Sequence, residues 1–282
     1  MFCFLLFTIH YLPFTRFIMK IDLKKLSESL ARSLIGHVII FLEQTDSTNS
    51  HAAVLARQGA AEGTVILADS QTAGKGRLGR IWQSPGGKNL YASIILRPHI
   101  ELPELSQITL AAGIAVAETV LGYCQGVALK WPNDVQINGK KVCGILAEMQ
   151  SCGDRLDFVI VGIGVNINIR QREFQEEFRN QATSIFEETG IEADRNEFLI
   201  ALLNKFEHWY RIFLSGDFQK IRSRWLGLAA WIGKQVQVVF NDRIEKGKLI
   251  GLDDNGALLL IDDQNRIQAI MAGDVSLRET KQ

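Results

Sequence analysis

Read for apolar periodicity, the chain alternates short β-branched runs with helical stretches and then changes character near residue 231. Residues 20–35 read as a short helix of mixed charge, 37–43 as a strand, and 50–57 as a helix closed by Gly59. A strand at 64–67 empties into a long loop, and 89–97 is the next strand. A long apolar helix runs over 103–124, opening on a proline, which suits the first helical position. Asn138-Gly139 signals a hairpin between a strand at 134–137 and one starting at 141, and 156–168 reads as a further strand pair. The pattern over 172–227 is helical. Its clearest member starts at the capping-box-like Asp194-x-x-Glu197 and carries Phe198, Leu202, Phe206, Tyr210 and Phe213 at helical spacing, as core. From Trp231 onward, short alternating segments at 235–240, 245–252, 257–261 and 267–271 are separated by Asn/Asp/Gly turns, the pattern of a small all-β barrel. The expected division is a large domain over 19–230 and a barrel over 231–280.

Composition narrows the function classes. At 282 residues the chain can bury one large core and a small one. Lys+Arg and Asp+Glu are 31 each, so no global field favours nucleic acid or acidic lipid. The four cysteines show no metal-ligand or Cys-x-x-Cys spacing, which fits a reducing compartment and points to no protein-held metal. Residues 1–18 are apolar but interrupted by His10, Pro13 and Arg16, with no basic start. They read as a mis-called start ahead of Met19 rather than a membrane anchor.

Candidate chemistry concentrates in the loop Ala68-Asp-Ser-Gln-Thr-Ala-Gly-Lys-Gly-Arg-Leu-Gly-Arg-Ile-Trp82, with Gly74, Gly76 and Gly79, the cations Lys75, Arg77 and Arg80, and Trp82. Glycines let backbone N–H groups approach an anion, and guanidinium forks bind phosphate or carboxylate. Gly74-x-Gly-x-x-Gly79 matches the dinucleotide fingerprint, yet Ser84-Pro-Gly-Gly87 follows where a helix would have to open. The P-loop pattern fails because Arg80-Ile81 replaces Lys-Ser/Thr. Elsewhere, Ser47, Thr48 and Asn49 either cap the 50–57 helix or hydrogen-bond a polar ligand. Lys130, within an apolar run before Trp131-Pro132, either snorkels to an edge or serves as a fixed point charge. Gly162 and Gly164 make either a bulge or a slot, and Asn166 beside them offers both a donor and an acceptor.

Taken together, Asp46-Ser-Thr-Asn49, the glycine-basic loop, Lys88-Asn-Leu-Tyr91, Lys130-Trp-Pro-Asn-Asp134, Gly144-Ile-Leu-Ala-Glu148, Gly162-Ile-Gly-Val-Asn166 and Gly273-Asp-Val-Ser-Leu-Arg278 resemble the biotin–protein ligases in content, order and spacing. The resemblance implies an α+β fold: a class II synthetase-like mixed β-sheet flanked by helices, then an SH3-like barrel. It implies activation of biotin with MgATP to biotinyl-5′-AMP and transfer to a lysine of a biotin carboxyl carrier protein, typically in acetyl-CoA carboxylase. Biotin contacts then fall on Ser47, Thr48, Asn49 and Gln71, on the backbone at Gly74, Lys75 and Gly76, and on Trp131, Gly162 and Gly164. Arg77, Arg80 and Lys130 take the catalytic role of neutralising the reacting anions, Arg77 and Lys130 also contacting biotin. Trp82, Asn166 and Arg278, with Arg77 and Arg80, fall to the nucleotide. Lys75 stands where relatives commonly carry arginine. No helix-turn-helix pattern precedes the first motif, so the expectation is a cytoplasmic ligase, monomer or homodimer, with no DNA or membrane partner and no repressor function. The alternatives are a lipoate- or octanoate-transferring relative and a biotin sensor without ligase activity.

Overall fold

Seven strands form one mixed sheet in the computed structural model, which describes residues 21–100, 104–152, 155–240 and 243–277. The expectations for residues 1–18, for Pro103 and for Arg278 fall outside the described residues. The strands are β1 (Ile39–Thr45), β2 (Val65–Gln71), β3 (Leu90–Leu96), β4 (Val127–Lys130), β5 (Asp134–Ile137), β6 (Lys140–Cys152) and β7 (Arg155–Val165), in the order β1-β2-β3-β7-β6-β5-β4. Only β1 and β2 pair in parallel. Helix α2 (Thr48–Arg57) makes the crossover that a parallel pair requires.

Because side chains alternate across a strand, each central strand serves two cores. In β7, Val159 and Val161 enter the main core, while Phe158 and Ile160 meet Ala52 and Ala56 of α2. In β3, Ile94 and Leu96 face the main core and Ile95 faces α2. The main core is closed by α1 (Leu23–Leu30), α3 (Leu105–Val120), α5 (Arg195–Leu214) and α6 (Phe218–Leu228), with the short α4 (Ile185–Thr189) contributing Ile185. Arg195 is almost fully buried at the start of α5, 2.8 Å from Asp69 Oδ1, and ties that helix to β2. The helix aromatics Phe198, Phe206 and Tyr210 are core, as their spacing predicts.

Two expectations are corrected. Residues 156–168 do not form a strand pair: β7 is one continuous strand, held on one side by β3 and on the other by β6. The helical pattern over 172–227 also breaks. Ahead of α4, Lys141 N donates to Gln181 O (2.8 Å) and Thr183 N donates to Lys141 O (2.9 Å). That lateral pairing takes backbone groups a continuing helix would use, so the segment stops at isolated turns, such as the one closed by Ala182 N on Phe178 O (2.9 Å).

After α6, β8 (Gln235–Phe240), β9 (Arg243–Leu252), β10 (Leu258–Ile261), β11 (Ile267–Ile270) and β12 (Asp274–Leu277) form an antiparallel five-stranded sheet in the order β11-β10-β9-β8-β12, the expected SH3-like unit. β12 was not among the predicted strands. The β9–β10 turn docks on the larger domain. Trp131 Nε1 donates to Gly256 O (3.1 Å), Ser106 Oγ donates to Asn255 O, and Arg222 pairs with Asp254 at 3.0 Å.

Phe206 is fully buried where α5 packs on α3. Phe206→Ala should cost about 3–5 kcal/mol, the range for emptying a buried aromatic position. Urea unfolding should show the lowered midpoint.

Candidate functional site

The α2 face of the sheet continues beyond the helix. Along β7 the side chains on that face after Phe158 and Ile160 are Gly162 and Gly164, followed by Asn166. Ser93 and Leu146 flank Gly162, and Tyr91 and Gly144 flank Gly164. A sheet lacking side chains at three of these positions has a depression, and here it floors a cavity of about 900 Å³.

Two of the glycine slots are occupied by the chain itself. A Cβ at Gly162 would lie 2.1 Å from Asn49 Oδ1, and one at Gly164 would lie 2.4 Å from Trp82 Nε1. Asn49 is thereby seated in a buried polar cluster. Its Nδ2 donates to Glu148 Oε2 (2.6 Å), and Ser93 Oγ lies 2.6 Å from its Oδ1 and 2.8 Å from Thr48 Oγ1. Gln71 Oε1 accepts from both Thr48 N (2.8 Å) and Thr48 Oγ1 (3.1 Å), and Gln71 Nε2 donates to Ser84 Oγ (2.9 Å). Ser47 occupies the N-cap position of α2, yet its hydroxyl makes no capping bond and its side chain lines the cavity. Capping alone therefore does not account for this serine.

The glycine-basic loop is a small hairpin. Gly76 N donates to Arg80 O (2.7 Å) and Trp82 N to Gly74 O (2.9 Å), with Leu78 and Gly79 turning at φ 55° and 74°. No helix opens after the three glycines: a short 3-10 turn at Arg77–Gly79 ends on the third, and the next element is β3, so the dinucleotide reading fails on geometry too. The hairpin lays Trp82 on Gly144 and Gly164, and its indole N–H is buried with no partner among the described residues. Arg77 donates to Asn133 Oδ1 (3.2 Å) and Gly273 O (3.4 Å) and lies 3.9 Å from Asp274, which also pairs with Arg80. Burial pulls the Arg77 pKa below its ordinary value, against the opposing pull of Asp274 and Asp134.

Lys130 faces the same cavity, its ammonium 5.6 Å from the Trp231 ring centroid. Desolvation lowers its pKa, with Asp134 opposing and Lys141 reinforcing the shift. Lys141 was missed in the sequence. Its ammonium sits 2.6 Å from Asp134 Oδ1 and 5.4 Å from the Trp82 ring centroid. Simple alternation from Gly144, Leu146 and Glu148 would send Lys141 to the opposite face. A β-bulge pairs Val135 with Cys143 but Gln136 with Lys141, which turns the lysine into the cavity. Asn133 and Asp274 were likewise missed, because both act through partners distant in sequence.

Among the expected residues, Ser47, Thr48, Asn49, Gln71, Lys75, Gly76, Arg77, Arg80, Trp82, Lys130, Gly162, Gly164 and Asn166 all line this cavity. Asn166 Nδ2 donates to Thr183 O (3.1 Å). Gly74 does not line it. A Cβ there would meet Trp82 O at 2.4 Å, so this glycine serves the hairpin. Trp131 also lies elsewhere: its indole is spent on Gly256 and does not flank the glycine slot, because the β9–β10 turn draws the ring between the domains. Among the described residues no group of three or more His, Cys, Asp or Glu could hold a metal ion.

Comparison with known proteins fits this geometry. The sequence profile of the Biotin/lipoate A/B protein ligase family matches residues 41–166, and that of the Biotin protein ligase C terminal domain matches residues 231–278. The bifunctional ligase/repressor of Bacillus spizizenii is 39% identical over 260 residues, 90% of this chain and 79% of the relative. This chain belongs to the biotin protein ligase family. A biotin–[acetyl-CoA-carboxylase] ligase of Paracoccus denitrificans is 36% identical over 238 residues, 83% of this chain and 98% of that one. The biotin protein ligase of Aquifex aeolicus, solved in complex with biotin and ATP, matches with a TM-score of 0.74 at 33% identity, covering 86% of this chain and 99% of the other. The protein is an ATP-dependent biotin ligase, with biotin and ATP as its substrates. Among the described residues no helix of the ligase is long and apolar enough to cross a membrane.

The ligase's hairpin is tied to β12 through Asp274 alone among acidic side chains within ion-pair distance of Arg77 or Arg80 in the described residues. Asp274→Ala should speed amide exchange at Gly76 and Trp82 by up to about fivefold, the upper end for a surface ion pair. Exchange mass spectrometry of peptides spanning residues 74–82 reads this directly.

Proposed function

We propose that this ligase forms biotinyl-5′-AMP in the glycine-floored cavity and transfers biotin to a lysine of the biotin carboxyl carrier domain of acetyl-CoA carboxylase. The observation that carries the proposal is the division of one cavity into two walls. On one side stand the neutral Ser47, Thr48, Asn49 and Gln71; on the other stand Arg77, Lys130 and Lys141. A ureido ring is neutral and needs paired donors and acceptors, whereas a carboxylate meeting a phosphate needs cations. The name of the Paracoccus relative supports the choice of acceptor.

In the first step a biotin carboxylate oxygen attacks the α-phosphorus of ATP. The new P–O bond forms as the bond to the β-phosphate breaks, and pyrophosphate leaves with the electron pair. Both partners are anionic, so their approach is opposed until positive charge is placed between them. Arg77, Lys130 and Lys141 supply that charge from fixed positions, without reorganisation during the reaction. Mg2+ carried by ATP would add positive charge at the phosphates, with no metal-holding group of His, Cys, Asp or Glu among the described residues. In the second step the acceptor's lysine amine attacks the acyl carbon. The C–N bond forms, the C–O bond to AMP breaks, and the amine proton passes to solvent. No protein nucleophile is needed. The protein's part is charge, position and exclusion of water from a mixed anhydride.

Trp82 and Asn166 are assigned to the adenylate, Trp82 by its ring over the glycine floor and Asn166 by its carboxamide at the end of β7. Trp131 is reassigned from biotin to the domain interface. Arg80, exposed and paired with Asp274, is assigned to ordering the hairpin rather than to the reacting atoms. A cytoplasmic location belongs to the same proposal, since ATP and the carrier domain are found there.

Incubation with ATP, biotin and a carrier fragment, followed by avidin blotting, tests the activity; competition by lipoate would instead favour the lipoate-transferring relative. Arg77→Ala, Lys130→Ala or Lys141→Ala should each lower biotin-dependent pyrophosphate exchange by about 10²-fold or more, the effect of losing one preorganised charge contact. Near-normal exchange in all three would remove the assigned roles. The lowered Lys130 pKa also sets a pH dependence. The charged form is the active one, so activity should fall as pH rises through a value below that of an ordinary lysine. Lys130→Arg should move this alkaline limb upward in a profile of kcat for exchange.

A further inference from the structure

The neutral wall of the glycine-floored cavity is backed by a carboxylate that does not line the cavity itself. Glu148 is exposed on β6, yet its Oε2 reaches inward to Asn49 Nδ2 at 2.6 Å, and Leu146 O lies 3.2 Å from the same nitrogen. A carboxylate and a carbonyl only accept, so both amide hydrogens of Asn49 are committed to them. The carboxamide lies in the slot over Gly162, where a Cβ would stand 2.1 Å from Oδ1 and 3.0 Å from Nδ2. The slot fixes the plane of the amide, and the two acceptors fix which end faces which way.

From that end the hydrogens can be followed one at a time. Asn49 Oδ1 only accepts, so Ser93 Oγ, 2.6 Å away, gives it the single hydroxyl hydrogen that Ser93 has. The buried Ser93 then turns only lone pairs toward Thr48 Oγ1 at 2.8 Å. Thr48 Oγ1 also lies 3.1 Å from Gln71 Oε1, so its one hydrogen is committed to these two acceptors. The Thr48 oxygen therefore meets a ligand as an acceptor only. With the Asn49 amide turned round, Ser93 would receive a hydrogen and pass its own to Thr48, filling a lone pair that otherwise faces the cavity.

We infer that Glu148 is a positioning residue for biotin: without touching the ligand, it orders the Asn49–Ser93–Thr48 chain so that Thr48 offers lone pairs, and no hydrogen, to a ureido N–H. The inference rests on the ligase reading above, whose neutral wall it concerns. A chain of hydroxyls and amides can run in either direction, and an acceptor-only group at one end selects one of them. Leu146 O favours the same direction from a longer distance, so the loss of Glu148 weakens the order without abolishing it.

Biotin titration calorimetry and exchange kinetics test it together. Glu148→Ala should weaken biotin binding, and raise KM for biotin in pyrophosphate exchange, about fivefold, the scale of one hydrogen bond. KM for ATP and kcat should change less than twofold. Glu148→Gln, whose amide oxygen can still accept from Asn49, should recover most of the lost affinity. Ser93→Ala cuts the chain further along, so adding Glu148→Ala to it should raise KM for biotin by less than a further twofold. Unchanged biotin affinity in Glu148→Ala would overturn the inference. So would an equal rise in KM for ATP, which would mark a general loosening of the site. A Glu148→Gln variant as impaired as Glu148→Ala would assign the effect to charge and overturn it, as would multiplicative effects in the double variant. An unmodified protein that binds biotin but shows no exchange would instead sink the ligase reading, while calorimetry still decides the role of Glu148.

Discussion

Cations kept close together repel one another, and among the described residues five line a single cavity: Lys75, Arg77, Arg80, Lys130 and Lys141. Two carboxylates make that arrangement tolerable. Asp134 lies against Lys141, and Asp274 lies between Arg77 and Arg80. Lys130 has no carboxylate within ion-pair distance among the described residues, and burial pulls its pKa down. Arg77 and Lys141 are thereby held by carboxylates and Lys130 is left without one, an arrangement suited to stabilising negative charge that appears only during a reaction. Removing a fixed carboxylate would free the cation but also release its position.

The neutral half of the cavity follows a different logic. Thr48, Asn49, Gln71, Ser84 and Ser93 bond mostly to one another, and their geometry is set by α2 meeting β2 and β3. Buried polar groups satisfied in this way are costly to move singly. The same face that packs Ala52 and Ala56 on Phe158 and Ile160 becomes, two residues further along β7, a glycine floor. Core and site are successive stretches of one alternating pattern. The first turn of α2 lies where the depression begins.

The C-terminal sheet touches the larger domain in two ways with different consequences. The β9–β10 turn, with Gly256 on Trp131 and Asp254 on Arg222, fixes where the sheet sits. β12 then carries Asp274 and the Gly273 carbonyl to the glycine hairpin. β12 thereby holds the hairpin that lines the cavity, which gives this sheet a contact there beyond packing.

Much of this was readable from the residues. Alternation located β1 to β3 and β8 to β11, helical spacing located α5, and the Asn138-Gly139 hairpin placed β5 beside β6. Glycines at 144, 162 and 164 and the polar run at 47–49 were visible as motifs, because local backbone needs and local polarity are properties of neighbours along the chain. What required the folded molecule was whatever depends on register or on partners far away in sequence. Alternation pointed Lys141 the wrong way, since a bulge of one residue reverses the facing of everything beyond it. The helical pattern ahead of α4 gave way to pairing with Lys141, and Trp131 went to the domain interface because a turn more than a hundred residues later offered its indole a carbonyl. The sequence by itself determined which segments alternate, turn or coil, because those choices are settled within a few residues. Tertiary structure decided which charges share a cavity, because electrostatic partnership depends on distance in space, and chain order does not encode that distance.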